Sequence, residues 1–397
     1  MKKLNIKRLI KASEKVIAGG SLDNGAIVAA NPSGAVYPSA VQDYGYVWVR
    51  DAAYVCMAAD LLGLKEIPER FFDWCLNRTE GFRDTGLFYN AYSVNGALHG
   101  TLIPPDEVKV SRQAAGKYAH LIHHGTQFQP DQNGTLLIAI NHHIKHFGSD
   151  VSSFAELIAT TASGICNSWN GRMFTLPCFD LWEERCIPAK RRRYHTYSLA
   201  MCAAGLRAAT QLLGKKPNWV RREKEMSNIL AKACSAGAKS IPRTYNAGGG
   251  NIKKDDALTD ASMLGLIYPS EALHPSDENM KRTVRAIMQH NMTKDGGLLR
   301  YPGDKYCGGV RDGWVTLTGA GSWPLLSFWM SIYFSLSGDT GKAREFFARP
   351  LAGVSEHIPE QIFADKAKPS ITPLLWSHAM FVIAAKFLSH VRTRTLR

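Results

Sequence analysis

Apolar residues recur at intervals of three and four along the whole chain, the spacing that lines one face of an α-helix. The pattern predicts helices over residues 5–18, 51–63, 67–78, 133–147, 151–168, 196–213, 217–237, 257–265, 277–291, 318–336, 340–349 and 373–390. Start signals sharpen several of these. Asp51 is expected to cap an alanine-rich run, Ser276 precedes the acidic pair Asp277-Glu278, and Thr372-Pro373 sets a proline in a first helical turn. Between the blocks lie long segments rich in Gly, Asp, Asn and aromatic residues, at 23–50, 79–132, 170–195, 241–256 and 292–317. Long loops in a compact domain are usually functional. No linker, low-complexity tract or short repeat interrupts the pattern, so the expectation is one all-α domain over residues 1–397, of about twelve helices.

Charge changes that picture little. The chain carries 48 Lys and Arg against 34 Asp and Glu, a formal net charge of +14. The excess clusters only at Lys190 to Arg193 and Arg392 to Arg397, without the interleaved aromatics of a single-strand binder, so no nucleic-acid partner is expected. Lys7, Arg8, Lys11, Glu14 and Lys15 break any apolar core of a signal peptide, and even residues 317–336 carry Gly, Ser, Pro and Trp. A soluble, cytoplasmic protein with no membrane partner is the expectation. The eight cysteines (56, 75, 166, 178, 186, 202, 234, 307) form no CxxC pair and read as reduced, buried thiols, although a bridge between Cys178 and Cys186 stays open. His142 and His146 stand four apart, with His123 and His124 before them, but no HExxH pattern completes a metal site, and none is expected. Ala247-Gly248-Gly249-Gly250 lacks the Lys-Ser/Thr of a phosphate loop.

The chemistry gathers in the long loops. Asp43-Tyr44-Gly45-Tyr46-Val47-Trp48-Val49-Arg50-Asp51 sets aromatics beside an Arg-Asp pair, which suits stacking on sugar rings and forked bonding to hydroxyls, or else an aromatic loop packed on the core. Cys178-Phe179-Asp180-Leu181-Trp182-Glu183-Glu184-Arg185 sets three carboxylates around an indole. Crowded like charges and desolvation raise carboxyl pKa values, as a general acid requires, although an acidic helix start satisfied by Arg185 reads the same way. Ser355-Glu356-His357-Ile358-Pro359-Glu360-Gln361-Ile362-Phe363 adds acids on a proline-containing loop, which alone could be a capping or surface loop. Leu298 to Tyr306 and Gln127 to Gly134 again mix aromatics with amides and charges.

In this order, over residues 43 to 380, these segments resemble glycoside hydrolase family 15, the glucoamylases, glucodextranases and related trehalases. Tyr46-Val47-Trp48-Val49-Arg50-Asp51 is like the family's W-x-R-D segment, and Asp180-Leu181-Trp182-Glu183-Glu184 like its D-L-W-E-E motif. Arg300-Tyr301-Pro302 with Asp304 and Tyr306 is like its R-Y-P-x-D-x-Y segment; Pro359-Glu360-Gln361 followed by Trp376-Ser377-His378-Ala379 is similar to its base loop and last helix. The resemblance implies an (α/α)6 barrel and an inverting hydrolase without metal or organic cofactor. It makes Glu183 the general acid and Glu360 the general base, roughly 6.5 to 9.5 Å apart if the mechanism inverts. It implies further that Glu184 and Arg300 hold the leaving sugar, Arg50 and Asp51 bond the terminal glucose, Trp48 and Trp182 pack its faces, and Tyr44 orients the water. Asp180, Leu181 and Tyr306 complete the implied substrate-binding set. The implied substrate is an α-1,4-glucan or malto-oligosaccharide, with trehalose, isomaltose or dextran as alternatives. A non-catalytic carbohydrate-binding barrel is the reading from another class. Two departures stand out: the W-x-R-D segment arrives too early to leave room for the N-terminal β-sandwich of prokaryotic relatives, and Gln127-Phe128 stands where fungal relatives have a tryptophan supporting the acid.

Overall fold

The computed structural model describes residues 5–99, 128–187, 193–236, 239–246, 253–256, 258–306 and 319–394. In chain order the helices are α1 (Ile6–Gly20), α2 (Val49–Leu62), α3 (Glu66–Asn77), α4 (Phe82–Thr85), α5 (Pro130–Phe147) and α6 (Ala155–Ser168). They continue with α7 (Thr196–Leu213), α8 (Pro217–Ala236), α9 (Glu278–His290), α10 (Pro324–Ser337), α11 (Thr340–Ala348) and α12 (Leu375–Arg394). Short strands β1 (Cys178–Phe179) and β2 (Cys186–Ile187) pair antiparallel, and β3 (Arg193–His195), β4 (Thr244–Asn246) and β5 (Lys253–Asp256) form a second small sheet.

Six elements close a ring: α2 packs on α5, α5 on α7, α7 on the 3-10 turn Ala261–Leu266, that turn on α10, α10 on α12, and α12 back on α2. Outside it, α1 lies on α12, α3 on α2, α6 on α5 and α7, α8 on α7, α9 on the 3-10 turn, and α11 on α10. This is the (α/α)6 barrel. The sequence sorts the two layers. Every residue of α10 from Pro324 to Ser335 is buried, whereas α1 buries only Leu9, Ser13, Ile17 and Gly20 and leaves its lysines in solvent. A helix apolar all round must be enclosed, and one with a single apolar stripe must lie outside. Inner helices also approach closely at glycine. A Cβ on Gly134 of α5 would come within 2.3 Å of the Met201 backbone of α7.

Several expected boundaries shift. Asp51 does not cap α2, which starts at Val49 with Trp48 before it, and Asp51 instead pairs with Arg50 inside the first turn. The helix expected at 257–265 is the 3-10 turn Ala261–Leu266, whose first amides are served by Asp260 and whose extension is stopped by Pro269. Asp277, rather than Ser276, caps α9 through the amides of Asn279 and Met280. Pro373 precedes α12 instead of opening it, α5 begins three residues earlier than expected at Pro130, and the helix expected from 318 begins at Pro324.

Cys56, Cys75, Cys166, Cys202 and Cys234 are free, buried thiols. The register of β1 and β2 sets Cys178 against Ile187 and Phe179 against Cys186. His142 Nδ1 and His143 Nδ1 lie 2.6 and 2.8 Å from the carboxylate of buried Asp60, and His146 stacks on His142. Among the described residues no His, Cys, Asp and Glu group is arranged to hold a metal, and no helix is long and apolar enough to cross a membrane. His123, His124, Gln127, the Lys190 to Arg192 run, Ala247 to Gly250 and Cys307 lie outside the described residues.

Candidate active site

The residues immediately before the inner elements, Trp48, Gln129, His195, Asp260 and Trp323, mark one end of the barrel. That end is tied across the ring. Asp131 at the start of α5 accepts from Arg50 of α2 at 3.3 Å and from Ser198 of α7 at 3.0 Å, and the Arg50 guanidinium lies 5.5 Å from the Trp376 ring of α12. The N-termini of α2, α5, α7 and α12 therefore meet at this end.

Glu183 sits at the tip of the β1–β2 hairpin. Phe128 sets that hairpin in place: it bridges Cys178 and Tyr89, and its carbonyl accepts from Phe179 N at 2.9 Å. Asp180 ties the turn, its Oδ1 accepting from the amides of Glu184 and Arg185 at 3.0 and 3.3 Å, while Leu181 anchors it in the core. The turn throws Glu183 into a left-handed backbone conformation, φ 63°. Trp48 Nε1 donates to Glu183 Oε1 at 2.7 Å, and Arg50 Nη2 stands 3.7 Å away. Trp48 thus supplies the indole support that the sequence around Phe128 lacks. Burial pushes the Glu183 carboxyl up to about 7 against the pull of Arg50, Asn90 and Trp48.

Glu184 points elsewhere. Its Oε1 accepts from Arg300 Nη2 at 2.6 Å, and its Oε2 from Tyr301 at 2.5 Å and Arg185 at 3.3 Å. Arg300 is forked onto Asp304 at 2.8 and 2.7 Å and is surrounded by Trp182, Tyr301, Tyr306 and Trp323 at 5.0 to 5.4 Å. Trp182 is fixed by bonds from its Nε1 to Asp260 at 3.1 and 3.2 Å.

Glu360 lies on the loop before α12, where its amide donates to Ile371 O at 2.8 Å and Ile362 bridges Ser322. It is 4% exposed. Tyr44 hydrogen-bonds it, and the Tyr44 and Tyr306 hydroxyls bond each other. Desolvation pushes Glu360 up to about 8, opposed by Arg300 and by the bond from Tyr44. Among the described residues its Oε2 is buried without a hydrogen-bond partner. Both Glu360 and Glu183 raise the hydroxyl pKa values of Tyr44 and Tyr306 electrostatically, so the two carboxyls, far apart in sequence, face one tyrosine pair. Asp51, pushed up to about 6 chiefly by burial, completes the set with Arg50 Nε at 3.1 Å.

The structure thus gathers Glu183, Glu360, Tyr44, Trp48, Arg50, Asp51, Trp182, Glu184, Arg300 and Tyr306 at one end of the barrel, with Asp180 and Leu181 beneath the acid turn. It adds residues to which the sequence assigned no role. Gln129, Asp131, Tyr301, Asp304 and Trp376 stood inside motif segments; Asn90, Asp260 and Trp323 carried no signal, because a lone polar or aromatic residue acquires meaning only from its neighbours in space.

The chain matches the family sequence model "Glycosyl hydrolases family 15" over residues 5–386. It belongs to that family. An uncharacterized glycosyl hydrolase of Methanocaldococcus jannaschii is 29% identical over 87% of this chain, which spans about half (51%) of that relative. An isomaltose glucohydrolase of Kribbella flavida is 24% identical over 89% of this chain and 88% of the relative. A trehalase of Sulfolobus acidocaldarius is 25% identical over 66% of this chain and 43% of its own length. Among solved structures, a glycosidase in complex with glucose superposes with a TM-score of 0.73 at 20% identity, covering 98% of this chain and 99% of that one. A bacterial glucoamylase complexed with acarbose gives 0.69 at 18% identity, covering 97% and 55%. The chain is thus similar in fold to glucoamylase-like glycosidases.

Proposed function

We propose that the protein is an inverting, exo-acting α-glucoside hydrolase that releases β-glucose from the non-reducing ends of α-1,4-glucans or malto-oligosaccharides, with Glu183 as acid and Glu360 as base. The observation that carries this is the convergence of the two carboxyls on the Tyr44–Tyr306 pair, beside the Arg50–Asp51 pair. Glu183 gives its proton to the departing glycosidic oxygen. Glu360, through the Oε2 that has no hydrogen-bond partner among the described residues, takes a proton from the water that attacks the anomeric carbon on the opposite face. Arg50 and Asp51 suit the hydroxyls of the terminal glucose, and Trp48 and Trp182 its apolar faces. Glu184 and Arg300, locked to each other, suit the sugar that leaves.

A second reading, isomaltose, is favoured by the Kribbella flavida relative, which matches over nearly the whole of both chains. Incubation with maltose, isomaltose and trehalose, followed by NMR of the released anomers, tests both. Initial β-glucose from maltose is expected; initial α-glucose overturns the inverting mechanism, turnover of isomaltose alone selects the second reading, and turnover of none of the three overturns the activity.

A further inference from the structure

The acid is held by donors that trace back to one arginine. Arg50 Nη1 donates to Gln129 Oε1 at 2.8 Å, Gln129 Nε2 donates to Asn90 Oδ1 at 2.8 Å, and the Asn90 amide helps hold the Glu183 carboxyl down against burial. A guanidinium can only donate. Its bond turns the oxygen of Gln129 toward Arg50 and the nitrogen toward Asn90, and the same step, repeated, leaves Asn90 Nδ2 facing Glu183. Gln129 and Asn90 are both buried, which excludes solvent as an alternative partner. Gln132 fixes the backbone of the same loop: its Nε2 donates to the carbonyls of Tyr89 and Asn90 at 2.6 and 3.1 Å, and its Oε1 accepts from Arg50 N at 3.1 Å. Ala91, next in sequence, packs on Trp48, the other donor to the acid.

We propose that Asn90 is a positioning residue for the general acid: with Gln129 and Arg50 it forms a one-way amide relay that presents an N–H to Glu183 in either protonation state. The relay aligns the carboxyl before transfer and stabilises the carboxylate left when the proton has gone to the leaving oxygen. It rests on the reading of Glu183 as that acid. The other groups facing Glu183 are Arg50, Asp51 and Trp48 from the start of α2, and the hydroxyls of Tyr44 and Tyr306. Arg50 and Trp48 share the work of holding the acid's proton affinity down against burial; Asp51 opposes them. Loss of the Asn90 donor therefore makes Glu183 a weaker acid.

The test compares Asn90→Ala and Gln129→Glu with wild type on two classes of substrate. One is the disaccharide, among maltose, isomaltose and trehalose, that the wild type hydrolyses; the other is α-glucosyl fluoride, whose fluoride leaves without general-acid help. On the disaccharide kcat is expected to fall about tenfold or more with KM within about twofold, on the scale of general-acid effects. On the fluoride kcat should stay within about threefold, and the acid limb of the disaccharide pH profile, which Glu183 sets, should move up. Gln129→Glu keeps its bond to Arg50 but cannot donate to Asn90, so it should reproduce the pattern even if Asn90→Ala folds poorly. Equal losses on both substrates, or an unmoved acid limb, overturn the relay. Glu183→Gln is the control: disaccharide turnover retained in that variant overturns the acid assignment itself, whereas its loss beside an unaffected Asn90→Ala overturns the relay alone.

Discussion

In the proposed pair Glu360 is buried and Glu183 half-buried, and desolvation penalises the charged form of each. One must be protonated and the other ionised for the reaction to proceed, so activity belongs to the singly protonated pair. Glu183 is raised to about 7 and Glu360 to about 8, so between them the pair holds one proton, mostly on Glu360, and reacts from the minor form that carries it on Glu183; below that window both hold protons and the base is lost, and above it both are ionised and the acid is lost. A bell-shaped kcat/KM profile centred between about 7 and 8 is expected from initial rates across pH; an optimum near pH 5 would contradict it. The same burial has a stability consequence. The folded pKa of Glu360 lies above its unfolded value of 4.5, so its contribution to stability is fully present below pH 4.5 and lost as pH rises toward 8. Glu360→Gln should thus be inactive yet melt about 2 to 5 °C higher than wild type at pH 8, with no such gain at pH 4. Thermal melts at the two pH values check this. At this scale the sequence was informative where a motif packs several functional groups together, as in Asp180 to Glu184. It was silent on Asn90 and Asp260, whose partners Gln129 and Trp182 are brought to them only by the fold.

Element geometry separates residues that touch sugar from those that shape the surface touching it. Asp180 was expected in the substrate-binding set, and its carboxylate is spent on the hairpin turn that carries Glu183 and Glu184. Two bonds from backbone amides to a charged, buried acceptor stabilise such a turn by about 1.5 to 3 kcal/mol each. Asp180→Ala is therefore expected to lower the melting temperature measurably and to cut kcat by misplacing the acid, with a smaller effect on KM. A residue acting only by binding substrate would instead raise KM and leave the melt unchanged, so melts and steady-state kinetics together decide. The inner element Ala261–Leu266 shows why one helix was misread. Its apolar residues fit a helical period, but periodicity does not say whether a segment has room to propagate, and here Pro269 closes it after two turns.

Across the whole molecule, the ring closes where α12 meets α2, α1 packs on α12 from outside, and the loop that carries Glu360 is held between α12 and α1. Ile358 N donates to His378 Nε2 at 2.9 Å, so the imidazole carries its proton on Nδ1 and donates it to Ser13 Oγ at 2.9 Å; Ser13 in turn donates to Leu9 O. An outer helix, through one buried histidine of an inner helix, thus sets the loop that presents Glu360. The layer pattern was legible from the apolar period, because enclosed and half-exposed helices differ in sequence; this strut was not, since Ser13 reads as an ordinary polar position on an amphipathic face. Burial holds the His378 pKa down to about 3, below its unfolded 6.5, so the neutral strut contributes fully above pH 6.5 and its contribution fades as pH falls toward 3. Ser13→Val removes the acceptor and leaves a buried imidazole N–H unsatisfied, a cost of about 1 to 3 kcal/mol. The variant should melt lower at pH 7.5 and lose kcat as the base loop shifts, while Ser13→Thr, which keeps the hydroxyl, retains most of both. If Ser13→Val matches wild type in melt and turnover, α1 is only a cover for the ring and the loop is held from within the barrel alone.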